Sequence, residues 1–189
     1  MLFVESYKNI NSVPSDSIMI NTTSKSDNWT RGLSPFFIYA GHLYDNFYAQ
    51  NIENAWQGSK VYKKFDENGK PSLEYFEWAN KLWKSKYAER YPMGKGSVPM
   101  YSWWADEKLD YIEARKKIYV PLYSKGVIQT ESFKKLLDMY RTTEKDIYLV
   151  DFDGYNHIAM GKSLIDVLND PKKRMGHAFV IFNMLNKMK

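Results

Sequence analysis

The segment DIYLV at 146–150 is a nearly continuous apolar run of strand length, closed by the turn-forming residues Asp151-Phe152-Asp153-Gly154. A run with no polar alternation belongs to a strand buried on both faces, so a sheet must sit inside this fold. Near the start, FVES and SIMINTT are short β-favouring runs separated by the turn signal Pro14-Ser15-Asp16-Ser17, and they predict two more strands. At 189 residues the chain has the length of one domain. The expected fold is α+β, a single mainly helical domain with a small sheet over 1–189. Within it, 1–32 supplies the N-terminal strands and a loop, and 33–189 supplies the core.

Helical spacing accounts for most of the remainder. Asn51 is placed to cap a helix reaching about Phe65, with Ile52, Ala55, Trp56 and Ser59 in one stripe. Beside that stripe Glu53, Gln57 and Lys60 fall within one narrow sector. Ser72 is expected to cap a second helix to about Arg90, burying Leu73, Phe76, Leu82 or Trp83, and Tyr87. The glycines and prolines of Pro92–Pro99 predict an irregular loop before Trp103-Trp104. A third helix is expected from about Asp106 with Leu109, Ile112, Ile118 and Leu122 inside, kinked or ended by Pro121. Thr130 opens a fourth, and Asp170-Pro171 supplies the N-cap and first residue of a terminal helix.

Composition narrows the chemistry. No cysteine is present, which removes disulfides, thiolate nucleophiles, iron–sulfur clusters and Cys-containing zinc sites. Three scattered histidines, His42, His157 and His177, have no metal-ligand spacing, so no metal and no cofactor is expected. No apolar run approaches membrane-spanning length and the N-terminus has no basic–apolar leader pattern, which predicts a cytoplasmic protein without membrane partners. The net charge is +5, and residues 171–189 carry five Lys or Arg with no Asp or Glu. Six Trp and fifteen Tyr exceed what a small core requires, and such rings serve to stack bases or sugars.

Two short matches fail on inspection. Val150-Asp151-Phe152-Asp153-Gly154 is similar to the nucleophile motif of haloacid-dehalogenase-like phosphatases, but Tyr155 stands where Thr is required and only 35 residues follow. Gly161-Lys162-Ser163 matches the end of a phosphate loop, but Asn156 stands where the earlier glycine is needed. The aspartates at the strand end retain interest, because side chains there open into clefts. So does Gly176-His177, since a helical glycine permits close approach of another group.

An ordered set of motifs runs along most of the chain. Leu33-Ser34-Pro35-Phe36, Gly41 and Tyr44 are followed by Glu53-Asn54-Ala55-Trp56-Gln57-Gly58-Ser59-Lys60. Gly94-Lys95 and Trp104-Ala105-Asp106 come next, then Ile147–Asp153 and Met175-Gly176. From about Leu33 to Leu185 this order resembles the NADAR family of N-glycosidases. The departures are Asn54 for the usual His, Pro35 for Asn, and Gly154-Tyr155 for Trp-Gly.

The resemblance implies hydrolysis of a C1′–N bond in an ADP-ribose derivative, an ADP-ribosylated base in nucleic acid, or a nucleotide intermediate. An oxocarbenium-like species is stabilised by a nearby carboxylate that also orients the attacking water. Glu53 and Asp153 are the candidates, with Asp151 filling the acidic role or capping local backbone. Gln57 is expected to fix a hydroxyl or the water, and Lys60 to hold Glu53 or contact phosphate. Trp104 and Tyr155 are expected to stack the leaving base, and Lys25, Arg31 and Lys95 to present charge from loops. The runner-up reading is a DNA glycosylase excising a modified base, and a third is a non-catalytic nucleotide or nucleic-acid sensor. Oligomeric state is not specified by the sequence.

Overall fold

A computed structural model describes residues 1–189. The fold is α+β, about 42% helix and 16% strand, with seven α-helices and small sheets. Strands β1 (Leu2–Ser6) and β2 (Ile18–Asn21) come first, then the short pair β3 (Gly41–His42) and β4 (Tyr48–Ala49). Helix α1 (Ile52–Gly58), β5 (Lys60–Val61), β6 (Asp66–Glu67), β7 (Lys70–Pro71) and α2 (Leu73–Lys84) follow. Next are β8 (Tyr101–Trp104), β9 (Glu107–Leu109), α3 (Tyr111–Ala114), a π turn (Arg115–Tyr119) and α4 (Val120–Val127). The chain continues with α5 (Glu131–Thr142), β10 (Ile147–Asp151), α6 (Leu164–Asn169) and α7 (His177–Lys187). No helix is long and apolar enough to cross a membrane. Contacts divide the chain into two compact units, Met1–Ser34 with Tyr123–Lys189, and Pro35–Leu122. The N-terminal strands thus belong with the last third of the chain.

In the discontinuous unit the apolar DIYLV run becomes the central strand of a three-stranded sheet, order β1-β10-β2, with both pairings parallel. Its register sets Leu2 beside Ile147 and Ile147 beside Ile18. Ile147, Leu149 and Val150 have no solvent exposure, as an unalternating run requires. Helix α7 packs on β1 and β10, and its Ala178, Phe179, Ile181 and Leu185 are buried. That helix starts at His177 rather than at Asp170. Asp170 instead binds Lys162 Nζ at 2.8 Å and the Lys172 amide at 2.9 Å, closing a local turn. The sequence reading also passed over α6, which Ser163 and Asp166 open with a capping box. Thr130 caps α5 as expected.

The continuous unit is built around an aromatic core of Tyr44, Phe65, Tyr75, Trp83 and Tyr101. Asn51 caps α1, accepting the Asn54 amide at 2.8 Å, but the helix stops at Gly58 rather than near Phe65. A Cβ on Gly58 would lie 2.2 Å from Trp83 Nε1, and Tyr75 donates its hydroxyl to the Gly58 carbonyl. Past that contact, Lys60 and Val61 pair with β8. Ser72 caps α2, which ends at Lys84, where Asn54 captures carbonyls of its last turn and of the residues just beyond. Asn54 Nδ2 donates to Leu82, Ser85 and Tyr87 carbonyls, and its Oδ1 accepts the Glu89 amide. The buried face of α2 is Tyr75, Ala79, Leu82 and Trp83, while Leu73 and Tyr87 are more than 80% exposed.

The expected helix start at Asp106 is replaced by a hairpin. Ala105 and Asp106 form its two-residue turn with φ of 48° and 64°, both in the left-handed region that matches strand twist. The helix begins after Asp110, which shares a capping box with Glu113. Pro121 neither ends nor replaces a turn of α4. Its ring would press on the carbonyl of residue 117, and that residue lies in the preceding π turn, where the hydrogen-bond ladder is already widened.

Candidate functional site

The polar row of α1 is joined as its spacing predicts. Gln57 Nε2 donates to Glu53 Oε1 at 2.9 Å, and Lys60 Nζ donates to Gln57 Oε1 at 2.7 Å. Glu53 and Gln57 are each 7% exposed. Lys60 lies beyond the helix end, in β5, and its ammonium also stands 5.0 Å over the Trp56 ring. The amide of Gln57 orients both neighbours at once, because one end donates and the other accepts.

Lys60 forms part of the wall of a small cleft, about 70 Å³, with Trp56, Met100, Tyr101, Ser102 and Tyr111. The row therefore leads from the cleft wall to a buried carboxylate. Trp56 is tilted against Tyr119 with ring centroids 5.2 Å apart, and the Arg115 guanidinium lies 4.6 Å over Tyr111. Arg115 is only 2% exposed and starts the π turn. Sequence reasoning passed over Tyr111 and Arg115. A signal existed, since Arg115 falls three residues from both Ile112 and Ile118, placing a charge in the expected apolar sector.

Other expected site residues of this unit stand elsewhere within it. Trp104 packs at 4.8 Å on Tyr44 in the aromatic core, and the cleft's rings are Trp56, Tyr101 and Tyr111 instead. Burial, with Asp45 and Asp106 nearby, raises the Tyr44 hydroxyl well above its ordinary pKa. Lys95 is exposed between Gly94 and Gly96, both at φ near 90°. Asn54 is wholly buried and bound to the α2 terminus.

In the discontinuous unit Asp151 ends β10 and is 3% exposed. Its Oδ2 accepts the Ala178 amide at 3.1 Å, in the first turn of α7, and lies 3.1 Å from His177 Nδ1. His177 Nε2 is 2.8 Å from the Thr22 carbonyl. Both ring nitrogens thus face acceptors, and one side chain ties β2, β10 and α7 together. A Cβ on Gly176 would come within 2.0 Å of Asp151 Oδ2, so the glycine admits the carboxylate to the helix end. Of the two sequence alternatives for Asp151, the capping one describes these contacts.

Asp153 is 30% exposed at its side chain, 4.0 Å from Arg174 Nη1. Tyr155 packs on Phe179 at 4.9 Å with Lys173 Nζ 4.5 Å over its ring. Lys25 Nζ stands 5.8 Å from the Tyr7 centroid and 5.6 Å from that of Phe152. Arg31 is exposed in a 3₁₀ turn, Trp29–Leu33. His157 sits against Phe179 and Phe182, its Nδ1 buried without a hydrogen-bond partner, and burial lowers its pKa. Lys162, from the failed phosphate-loop match, pairs with Asp170. No group of three or more His, Asp or Glu side chains is placed to hold a metal ion.

No curated protein and no solved structure matches the chain. A family model described as a family of unknown function, DUF6939, matches residues 4–181.

Proposed function

We propose that this chain, which belongs to the DUF6939 family, is an N-glycosidase that hydrolyses the C1′–N bond of an ADP-ribosyl or related nucleotide or nucleic-acid substrate. The observation that carries the reading is the buried Glu53, held by Gln57, which is itself bound to Lys60 in the wall of a cleft lined by Trp56 and Tyr111. The order of motifs resembling the NADAR family supports the same assignment.

In this mechanism the C1′–N bond lengthens first and positive charge grows on the ribose. The Glu53 carboxylate stabilises that charge and takes a proton from the attacking water as its oxygen bonds to C1′. The departing nitrogen keeps the bond pair and is protonated, with Glu53 returning its proton to solvent or product. Gln57 holds Glu53 in orientation, and Lys60 meets a substrate phosphate at the cleft wall. Trp56 and Tyr111 stack the planar group. Asp153 is the second candidate carboxylate, carried by the other unit.

The test is chromatographic detection of released base or ribose after incubation with ADP-ribose compounds, ADP-ribosylated DNA and DNA with modified bases. Glu53→Gln is expected to lower turnover about 10²–10⁴-fold while leaving nucleotide binding in place. Asp153→Asn, run in parallel, assigns the principal carboxylate. Turnover unchanged in both variants defeats the reading, and tight binding without release from any substrate points to a sensor. Release of a modified base from DNA alone selects the DNA-glycosylase reading.

A further inference from the structure

The three parallel strands β1, β10 and β2 all point their carboxyl ends the same way, and the residues just past those ends differ from the rest of the unit. Tyr7 follows β1, Lys25 lies in the loop after β2, and Phe152 follows β10. Tyr7 and Phe152 meet at 4.8 Å, with Lys25 against both rings. The loop carrying Lys25 is fixed from its own strand. Thr23 donates its amide and hydroxyl to Asn21 Oδ1, and the Lys25 amide donates to Thr23 Oγ1.

The turn after β10 gathers more charge. Lys173 covers Tyr155, and Arg174, 68% exposed, faces Asp153. Residues 152, 153 and 155 of one turn therefore each meet a cation from another segment. Asp151 adds no acceptor at this edge, being bound to Ala178 and His177. Gly154 makes the turn possible, since a Cβ there would lie 2.5 Å from the Glu5 carbonyl.

We infer that this carboxyl edge of the sheet, through Tyr7, Lys25, Phe152, Tyr155, Lys173 and Arg174, binds single-stranded nucleic acid. Ligands of parallel sheets lie beyond the carboxyl ends of the strands. Strand-binding surfaces combine cations for phosphates with rings on which successive bases stack. Here there are two aromatic stations, Tyr7–Phe152 and Tyr155, each with its own lysine, and a third cation, Arg174, faces Asp153, which lies between Phe152 and Tyr155 in the chain. One nucleotide uses one station; two consecutive nucleotides use both. The inference goes beyond the glycosidase reading, since it concerns binding by the discontinuous unit and holds whether or not Glu53 hydrolyses anything.

The test is fluorescence anisotropy of the full chain with a labelled oligothymidylate of about 12 nucleotides, titrated from about 50 to 200 mM salt. The variant Lys25→Ser/Lys173→Ser/Arg174→Ser is expected to bind at least about tenfold more weakly and to lose about 2 from the salt slope, at roughly 0.7 per phosphate contact. Tyr7→Ala is expected to weaken binding about tenfold with the slope unchanged, as loss of a stacking ring does. A control of equal charge, Lys125→Ser/Lys134→Ser/Lys145→Ser, is expected to behave as the wild type. Circular dichroism confirms that each variant is folded. Absence of strand binding overturns the inference, as does equal weakening by the control triple. Thymidine monophosphate binding as tightly as the oligonucleotide overturns it too. None of these outcomes depends on base release.

Discussion

Asp151 and Glu53 are buried to a similar degree, 3% and 7% exposed, and both stand at the first turn of a helix. Their partners differ in kind. Asp151 is held by a backbone amide and by a histidine whose other nitrogen is bound to a backbone carbonyl, so each contact belongs to the framework. Glu53 is held by Gln57, whose own partner is the lysine of a cleft wall. Long side chains can exchange a protein partner for a ligand, whereas a helix amide and a strand carbonyl cannot without undoing the fold. Burial alone therefore does not separate a carboxylate bound by the framework from one bound by side chains, as the proposed glycosidase reading needs. The identity of the donors does.

The largest expected effect tests that distinction directly. Asp151→Ala leaves His177 facing an empty acceptor site and uncaps α7, and is expected to lower stability by about 2–4 kcal/mol in urea unfolding. Glu53→Gln keeps a hydrogen-bonding group beside Gln57 and is expected to stay within about 1 kcal/mol of wild type. Equal destabilisation by the two would erase the contrast between them.

A smaller effect concerns His157 in the unit that holds Asp151. Burial lowers its pKa, so the unfolded chain takes up a proton at this residue more readily than the folded one. Stability from this group is intact above the ordinary histidine value of about 6.5 and falls as pH drops from there toward the lowered folded value. His157→Phe is expected to flatten the stability–pH curve over that window, as measured by urea midpoints at successive pH. The smallest effect lies in the other unit. Ala105 occupies a left-handed turn position, and Ala105→Gly is expected to raise stability by about 0.5–1 kcal/mol. A lower urea midpoint for that variant would show that the hairpin turn is not strained at this residue.

Much of the local architecture was legible because local chemistry determines it. The caps at Asn51, Ser72 and Thr130, the buried strand at 147–151 and the joined row Glu53-Gln57-Lys60 each follow from side chains a few residues apart. The errors arise where a distant residue decides. Helix α1 stops because Trp83 and Tyr75 occupy the space beside Gly58. Helix α2 stops where Asn54 takes its trailing carbonyls, and α7 starts late because Asp151 supplies its cap from another element. The hairpin at Ala105-Asp106 lacks the usual Asn-Gly signal, so its turn was hidden by residue type. In the candidate site the polar row was readable, and its aromatic wall was not, since Tyr111 reaches the cleft only through the pairing of β8 and β9 before it.

The strand order β1-β10-β2 also has a consequence for how the chain is made. Thr22 bonds to Val150, 128 residues later, so both outer strands leave the ribosome long before the strand that joins them. Pro35–Leu122 emerges in one stretch between those events and can collapse on its own aromatic core. The sheet can close only once β10 has been made, a late segment that must find two early partners, and every stop codon or proteolytic cut before Ile147 leaves β1 and β2 as open edges.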